Sequence, residues 1–158
     1  MSRFIIRNSS KALLLRGGEI LLNCCADDLG EPYYDLPGGG QDAFESIEEA
    51  LHREIMEETG YIAKIDRFAA IAEEIYDDPQ LRGQYPDYCH RVMHIFVAHI
   101  EDETVHGTPV NDFQTSGSRW FSLEKADMLP VLPVQLRGRI REILGKSAPV
   151  WLGTVHIS

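Results

Sequence analysis

Between Leu36 and Gly60 the chain sets three consecutive glycines, Gly38-Gly39-Gly40, ahead of a stretch from Ser46 to Thr59 that contains neither Gly nor Pro. Each glycine costs backbone entropy on folding, so a run of them is kept for a tight turn, a positive φ or a close approach of main chain to a ligand or ion. The stretch that follows is rich in Ala, Leu, Glu, Arg and Met, all good helix formers. Ser46 and Glu49 have the spacing of a capping box, and Gly60 stands where a left-handed residue ends a helix. The spacing therefore predicts a glycine turn leading into a helix over 46–59.

The polarity of that helix is unusual. At roughly 100° per residue, Ile47, Ala50, Leu51, Glu54, Glu57 and Glu58 fall on one face, whereas Glu48, Glu49 and His52 point to solvent. The face expected to meet the core is apolar in its first half and acidic in its second. Acids in the last turn oppose the negative end of the helix dipole, and Glu54 repels both Glu57 and Glu58 at i,i+3 and i,i+4. In a cleft of effective dielectric near 20, two carboxylates about 5 Å apart repel by about 3 kcal/mol. A Mg²⁺ or Mn²⁺ ion removes that penalty, because hard cations take carboxylate oxygens. A solvated acidic helix end explains the same spacing, and the three glutamates alone do not choose between the two.

The register of glycines and acids does choose. Gly39 is followed after five residues by Glu45, after seven more by Arg53-Glu54-Ile55, and then by Glu57-Glu58 and Gly60. This segment closely resembles the Nudix box of the Nudix hydrolases and matches its fixed positions. Tyr61, where the family usually has an aliphatic residue, departs only at a packing position. The resemblance implies an α/β fold, an α/β/α sandwich with a mixed β-sheet. It also implies Glu54, Glu57 and Glu58 as ligands of Mg²⁺ or Mn²⁺, with the main-chain carbonyl of Gly39 as a further oxygen donor. Glu54 or Glu57 would be the general base, and Glu45 with Arg53 the ion pair that holds the box loop. Arg53 also lies i,i+4 from Glu49 and Glu57, so a purely helical salt bridge is the competing reading.

Composition agrees with this and excludes other classes. The 158 residues make one domain, 1–158, with 44% hydrophobic content. A net charge of −10 argues against nucleic-acid or anionic-membrane partners and would repel a polyphosphate unless cations neutralise the site. Nothing resembles a signal peptide, and no apolar run reaches the roughly 18 residues of a membrane span. Cys24, Cys25 and Cys89 form no CxxC pair, which points to reduced thiols and a cytoplasmic protein, with Cys24 and Cys25 as packing residues.

The remaining chain alternates strand and helix. Phe4-Ile5-Ile6 begins a short strand, and Lys11 to Cys25 reads as a hairpin about Gly17-Gly18. Strands are expected over 62–76, 91–100, 120–121 and 149–157, with a polar loop over 77–87. Ser122 can cap a short helix, and a longer helix is expected over 133–144. Val150-Trp151-Leu152 reads as an exposed tail able to pair with a second subunit as a homodimer.

Function, on this resemblance, is metal-dependent hydrolysis of a phosphoanhydride in a nucleoside diphosphate linked to another moiety. A nucleoside triphosphate, a dinucleotide polyphosphate and a nucleotide sugar all satisfy that description. The alternative is a catalytically silent nucleotide sensor of the same fold, which an intact box disfavours. Many family members supply another carboxylate from a loop before the tryptophan corresponding to Trp120; here Gln114 stands near that position, leaving Asp112 or Glu101-Asp102-Glu103 to substitute. Tyr76, near where diadenosine-polyphosphate hydrolases have a tyrosine, is a substrate-binding candidate, with Tyr85 and Tyr88 also available for stacking. Arg91 and Arg82 are candidate phosphate contacts. His90 and His94 share a strand and can face the pocket or stay in internal hydrogen bonds.

Overall fold

The computed structural model describes residues 3–111 and 114–158. The strands are β1 (Arg7–Arg16), β2 (Glu19–Ala26), β3 (Pro32–Asp35), β4 (Gly38–Gly40), β5 (Ala63–Tyr76), β6 (His90–Ile100), β7 (Thr115–Ser122), β8 (Val131–Leu132) and β9 (Val150–Ile157). The helices are α1 (Ile47–Thr59), α2 (Pro79–Gln84), α3 (Leu123–Ala126) and α4 (Ile140–Leu144), with a 3-10 turn at Val134–Leu136. The strands make one mixed sheet in the order β8-β3-β2-β1-β6-β5-β9, to which β4 adds beside β1 and β7 beside β2.

β1 organises this sheet. On one side it runs parallel to β6 from Arg7↔Arg91 to Leu15↔His99. On the other it pairs with β4 over Ser9–Lys11 and with β2 over Leu14–Arg16. β2 pairs with β7 from Glu19 to Cys25, and beyond Leu21 its other edge leaves β1 and pairs with β3 from Asn23 to Ala26. β1 and β2 thus part beyond the Leu14–Leu21 pair, and Ser9 and Lys11 of one strand and Asn23 and Cys25 of the other line a polar cleft.

Side-chain alternation along β1 supplies both faces of the core. Ala12 and Leu14 pack with Leu51 and Ile55 of α1, together with Leu21, Phe96 and Ala98. Leu13 packs the opposite way, with Ile20, Leu22, Ile95, Leu136, Ile140 and Ile143. Helices thus cover both faces of a mixed sheet, as an α/β/α sandwich requires. Leu51 and Ile55 are fully buried, and each such side chain contributes on the order of 1.5–3 kcal/mol relative to exposure.

Several sequence expectations change. Phe4, Ile5 and Ile6 are exposed and outside the sheet, because pairing with β6 begins only at Arg7. The three glycines form strand β4 instead of a free turn. The polar stretch after β5 contains α2, because Pro79 sits at its first turn, where its missing N–H costs nothing, and Asp78 accepts from the Gln80 amide. The helix expected over 133–144 is divided by Gly138, whose φ of 71° ends the 3-10 turn before α4 starts. β7 begins at Thr115, earlier than expected, because it follows β2 in register from Cys25. Trp151 is exposed as read, but Leu152 is buried in the core. Cys25 and Cys89 are buried and Cys24 is half-buried, all as free thiols. Among the described residues no helix is long and apolar enough to cross a membrane.

Candidate active site

α1 is fixed at both ends by the features its sequence advertises. The Ser46 hydroxyl accepts from the Glu49 amide at 3.0 Å while the Glu49 carboxylate accepts from the Ser46 amide at 2.7 Å. Gly60 closes the helix at φ 75°. The inward stripe runs through Leu51, Ile55 and Thr59, not through Glu57. Glu54 and Glu58 form the adjacent stripe and reach the cleft; Glu57 is half-exposed and does not line it. This corrects the expectation that all three acids share the inward face.

Arg53 ties the loop before α1 to its acidic end. It donates to both Glu45 oxygens, at 2.7 and 3.1 Å, and to the Gly40 carbonyl at 3.0 Å. It also donates to Glu54 at 2.8 Å and to Glu57 at 3.4 Å. The Glu45–Arg53 pair is therefore a fork between loop and helix, with the i,i+4 contact to Glu57 as its weaker extension. These bonds, with one from the Asp42 amide, hold the Glu45 carboxyl down at about 2 and raise Arg53 further above its usual range.

The glycines set how closely strand and helix meet. A Cβ on Gly39 would lie 2.5 Å from the Glu54 carboxyl carbon, so the carboxylate rests against bare main chain. At Gly38, with φ 136°, a Cβ would fall 2.0 Å from the Ser10 carbonyl. Glu58 lies deeper and accepts from Asn23 Nδ2 at 2.8 Å and from the Gly38 amide at 3.1 Å. Burial pushes its carboxyl up to about 7, against the opposing pull of Lys11 and of these two hydrogen bonds.

The cleft has a volume of about 670 Å³. Its box end carries Gly38, Gly39, Gly40, Glu54 and Glu58; its far wall carries Tyr33, Tyr76, Tyr85, Tyr88, Arg91, Gln114 and Thr115. Lys11 crosses the floor, donating to Asp35 at 3.2 Å and to the carbonyls of Leu36 and Gly38. Arg91 lines the wall as expected, but its guanidinium is paired with the buried Glu74 carboxylate. Tyr76 packs edge-on to Tyr85 with ring centres 6.5 Å apart.

Other sequence candidates fall elsewhere. Gln114 ties the far wall to the segment between β2 and β3: its Oε1 accepts from the Tyr33 hydroxyl at 2.6 Å and its Nε2 donates to Asp28 at 3.0 Å. Asp112 lies outside the described residues. Glu103 pairs with Arg16 at 2.6 Å and Glu101 with Lys64 at 3.5 Å, and neither lines the cleft. Arg82 donates to the Tyr76 carbonyl. His90 bonds Glu73 at 3.0 Å and His94 the Ser9 carbonyl at 3.2 Å, so both keep internal bonds outside the cleft.

Sequence reading passed over Arg7, Lys11, Asn23 and Asp35. Lys11 left little signal: it follows the polar Asn8, Ser9 and Ser10 and precedes the apolar run Ala12–Leu15, and only the structure shows it buried, where a lysine needs partners. Among the described residues no three His, Cys, Asp or Glu side chains converge as a ready metal cluster, since Glu54 turns to Arg53 and Glu58 to Asn23.

A mixed sheet between helices, together with the spacing of Gly39, Glu45, Arg53, Glu54, Glu57, Glu58 and Gly60, points to the Nudix hydrolases. The chain belongs to this family: the model of the NUDIX domain matches residues 3–143. A Bacillus subtilis (strain 168) protein provisionally named 8-oxo-dGTP diphosphatase is 35% identical over 108 residues, which are 68% of this chain. The match spans 60% of that relative's length. Among solved structures, a NUDIX hydrolase from Nitrosomonas europaea superposes with TM-score 0.66 at 14% identity, covering 96% of this chain and 79% of that one. A MutT protein from Bacillus halodurans gives 0.65 at 18% identity, covering 96% and 90%. Both share the fold.

Proposed function

We propose that the cleft hydrolyses a phosphoanhydride in a nucleoside diphosphate linked to another moiety, with a divalent cation held at its box end. The observation that carries this reading is the Glu54 carboxylate, braced by Arg53 and resting on Gly39 where no Cβ intervenes. Glu54, Glu58 and the Gly39 carbonyl offer hard oxygen donors around one end of the cleft, and such donors suit Mg²⁺ or Mn²⁺. The buried Glu58 carboxyl, pushed up to about 7, supports the same fit, since a nearby cation would relieve the burial that raises it. Glu57, on the rim beside Arg53, completes the acidic set.

When bound, the cation would neutralise charge on the phosphoanhydride oxygens. The protein supplies position and proton transfer. Arg53 locks Glu45 to the loop and fixes the rotamer of Glu54, so the carboxylate is aimed before substrate arrives. Of the two glutamates suggested as general base, Glu54 reaches the cleft and Glu57 does not line it, so the proton from water is assigned to Glu54. Lys11, donating to Asp35 and to the Leu36 and Gly38 carbonyls, ties β1 to β3 and β4 beneath the cleft. The tyrosines of the far wall offer flat apolar faces to a base or other planar group.

A panel of nucleoside triphosphates, dinucleotide polyphosphates and nucleotide sugars, assayed with Mg²⁺ for nucleotide and phosphate products, tests this reading. Turnover of at least one compound, lost or strongly reduced in Glu54→Gln, is the expected result. Tight binding with no product from any compound would instead make the protein a nucleotide sensor.

A further inference from the structure

Three cationic side chains line the cleft, and the structure treats them differently. Lys11 is neutralised by Asp35 and Arg91 by Glu74. Arg7, at the start of β1, has no carboxylate or carbonyl partner among the described residues, although the chain carries a net charge of −10. Yet its guanidinium is held in place. It packs against Gly40, where a Cβ would come within 2.3 Å of a guanidinium nitrogen, and its carbon lies 4.7 Å from the centre of the Tyr88 ring. Ring contact orients a guanidinium face while leaving its edge N–H donors open. An arginine fixed on one face and unpaired on its edge, next to the glycine strand that carries the box, is a site for an anion.

We propose that Arg7 is a phosphate-binding residue of the cleft, donating to a phosphoryl group next to the one handled at the Glu54 end. The inference rests on the hydrolase reading and deepens it: of two neighbouring phosphoryl groups, one is handled at the carboxylate end and the other is held on Arg7. Tyr88 and Gly40 are positioning elements, because each acts on substrate through the guanidinium. Lys11 and Arg91 do not replace Arg7, since each already has its carboxylate.

The experiment compares wild type, Arg7→Gln, Arg7→Lys and Gly40→Ala, each checked for an unchanged thermal midpoint. Steady-state kinetics are run on the best panel substrate. In parallel, equilibrium binding is measured for a methylene-bridged nucleoside diphosphate with Mg²⁺, which cannot be cleaved at its bridge. Arg7→Gln is expected to raise KM and weaken binding by about tenfold to a hundredfold, the effect of losing a charge-assisted hydrogen bond, with kcat little changed. Arg7→Lys should recover part of the binding. Gly40→Ala, by pushing the guanidinium aside, should mimic Arg7→Gln and add little to it in the double variant. Unchanged KM and binding in Arg7→Gln overturn the inference, as does full additivity of the two substitutions. If wild type cleaves nothing but binds the analogue through Arg7, this assignment stands and the hydrolase reading falls.

Discussion

The two ends of the cleft are built in opposite ways. The box end is local: within Gly38–Gly60, one arginine fork, one capping box and close main-chain contact at the glycines fix the acids, and the sequence spacing already implies most of it. The far wall is assembled from distant pieces, with Tyr33 from β3, Tyr76 from β5, Tyr85 and Tyr88 after α2, and Gln114 from the segment before β7. A local construction is suited to chemistry that every substrate shares, because its geometry is over-determined. A wall of separate loops is suited to substrate choice, because each piece can vary alone.

Glycine substitutions break this comparison most sharply. Gly39→Ala places a methyl group into the Glu54 carboxylate, and displacement of a catalytic group by about an ångström can cost about a hundredfold in rate. The expected outcome is a fall of that order in kcat on every substrate of the panel, read in steady-state assays, with little change in relative KM. In the wall, Tyr85→Leu should raise KM about tenfold for substrates with a stacking base and leave kcat close to wild type. A uniform kcat loss from Tyr85→Leu would erase the distinction between the two ends.

Acidity gives a smaller and directional test at Glu58. Its folded carboxyl lies near 7, above the ordinary 4.5, so its favourable contribution is complete below about 4.5 and is lost as pH rises through 7. With chelator present, the wild type should therefore lose thermal midpoint between pH 5 and 8 relative to Glu58→Gln, and Mg²⁺ should restore it at the upper end. Equal pH dependence of the two proteins would show that this carboxyl is not perturbed. Ser46→Ala removes the hydroxyl that caps α1 and should cost about 1 kcal/mol of stability in denaturant titrations. Smallest is Gly83→Ala in α2, where a Cβ meets nothing within 4 Å and the backbone is already helical. It should be silent in activity and slightly stabilising, by about 0.5–1 kcal/mol.

What the sequence discloses follows the same division. Ser46, Glu49 and Gly60 bound α1 as their spacing predicts because caps depend on neighbours a few residues away. The hairpin about Gly17-Gly18 and strands β5, β6 and β9 are legible from apolar runs and turns. The helical face lies part of a turn away from the one the spacing predicts: Ile55 faces the core and Glu57 faces solvent, since packing against β1 centres the stripe on Leu51 and Ile55. Arg7 and Lys11 escape notice because their meaning depends on Tyr88, Gly40, Asp35 and Leu36, which strand pairing brings to them from far along the chain. The Arg91–Glu74 pair was equally invisible, so Arg91 looked free in sequence when the fold had already committed its charge.

The central claim is that Glu54, set on Gly39 and braced by Arg53, works with a divalent cation to break a phosphoanhydride. Its most direct measurement is turnover of the best panel substrate against stepwise Mg²⁺ after complete chelation, in wild type and in Glu54→Gln. The account predicts no turnover without the ion, a saturable rise with Mg²⁺ in wild type, and about a 10³-fold lower plateau in a folded Glu54→Gln. Metal-independent turnover, or a Glu54→Gln plateau equal to that of wild type, would contradict it.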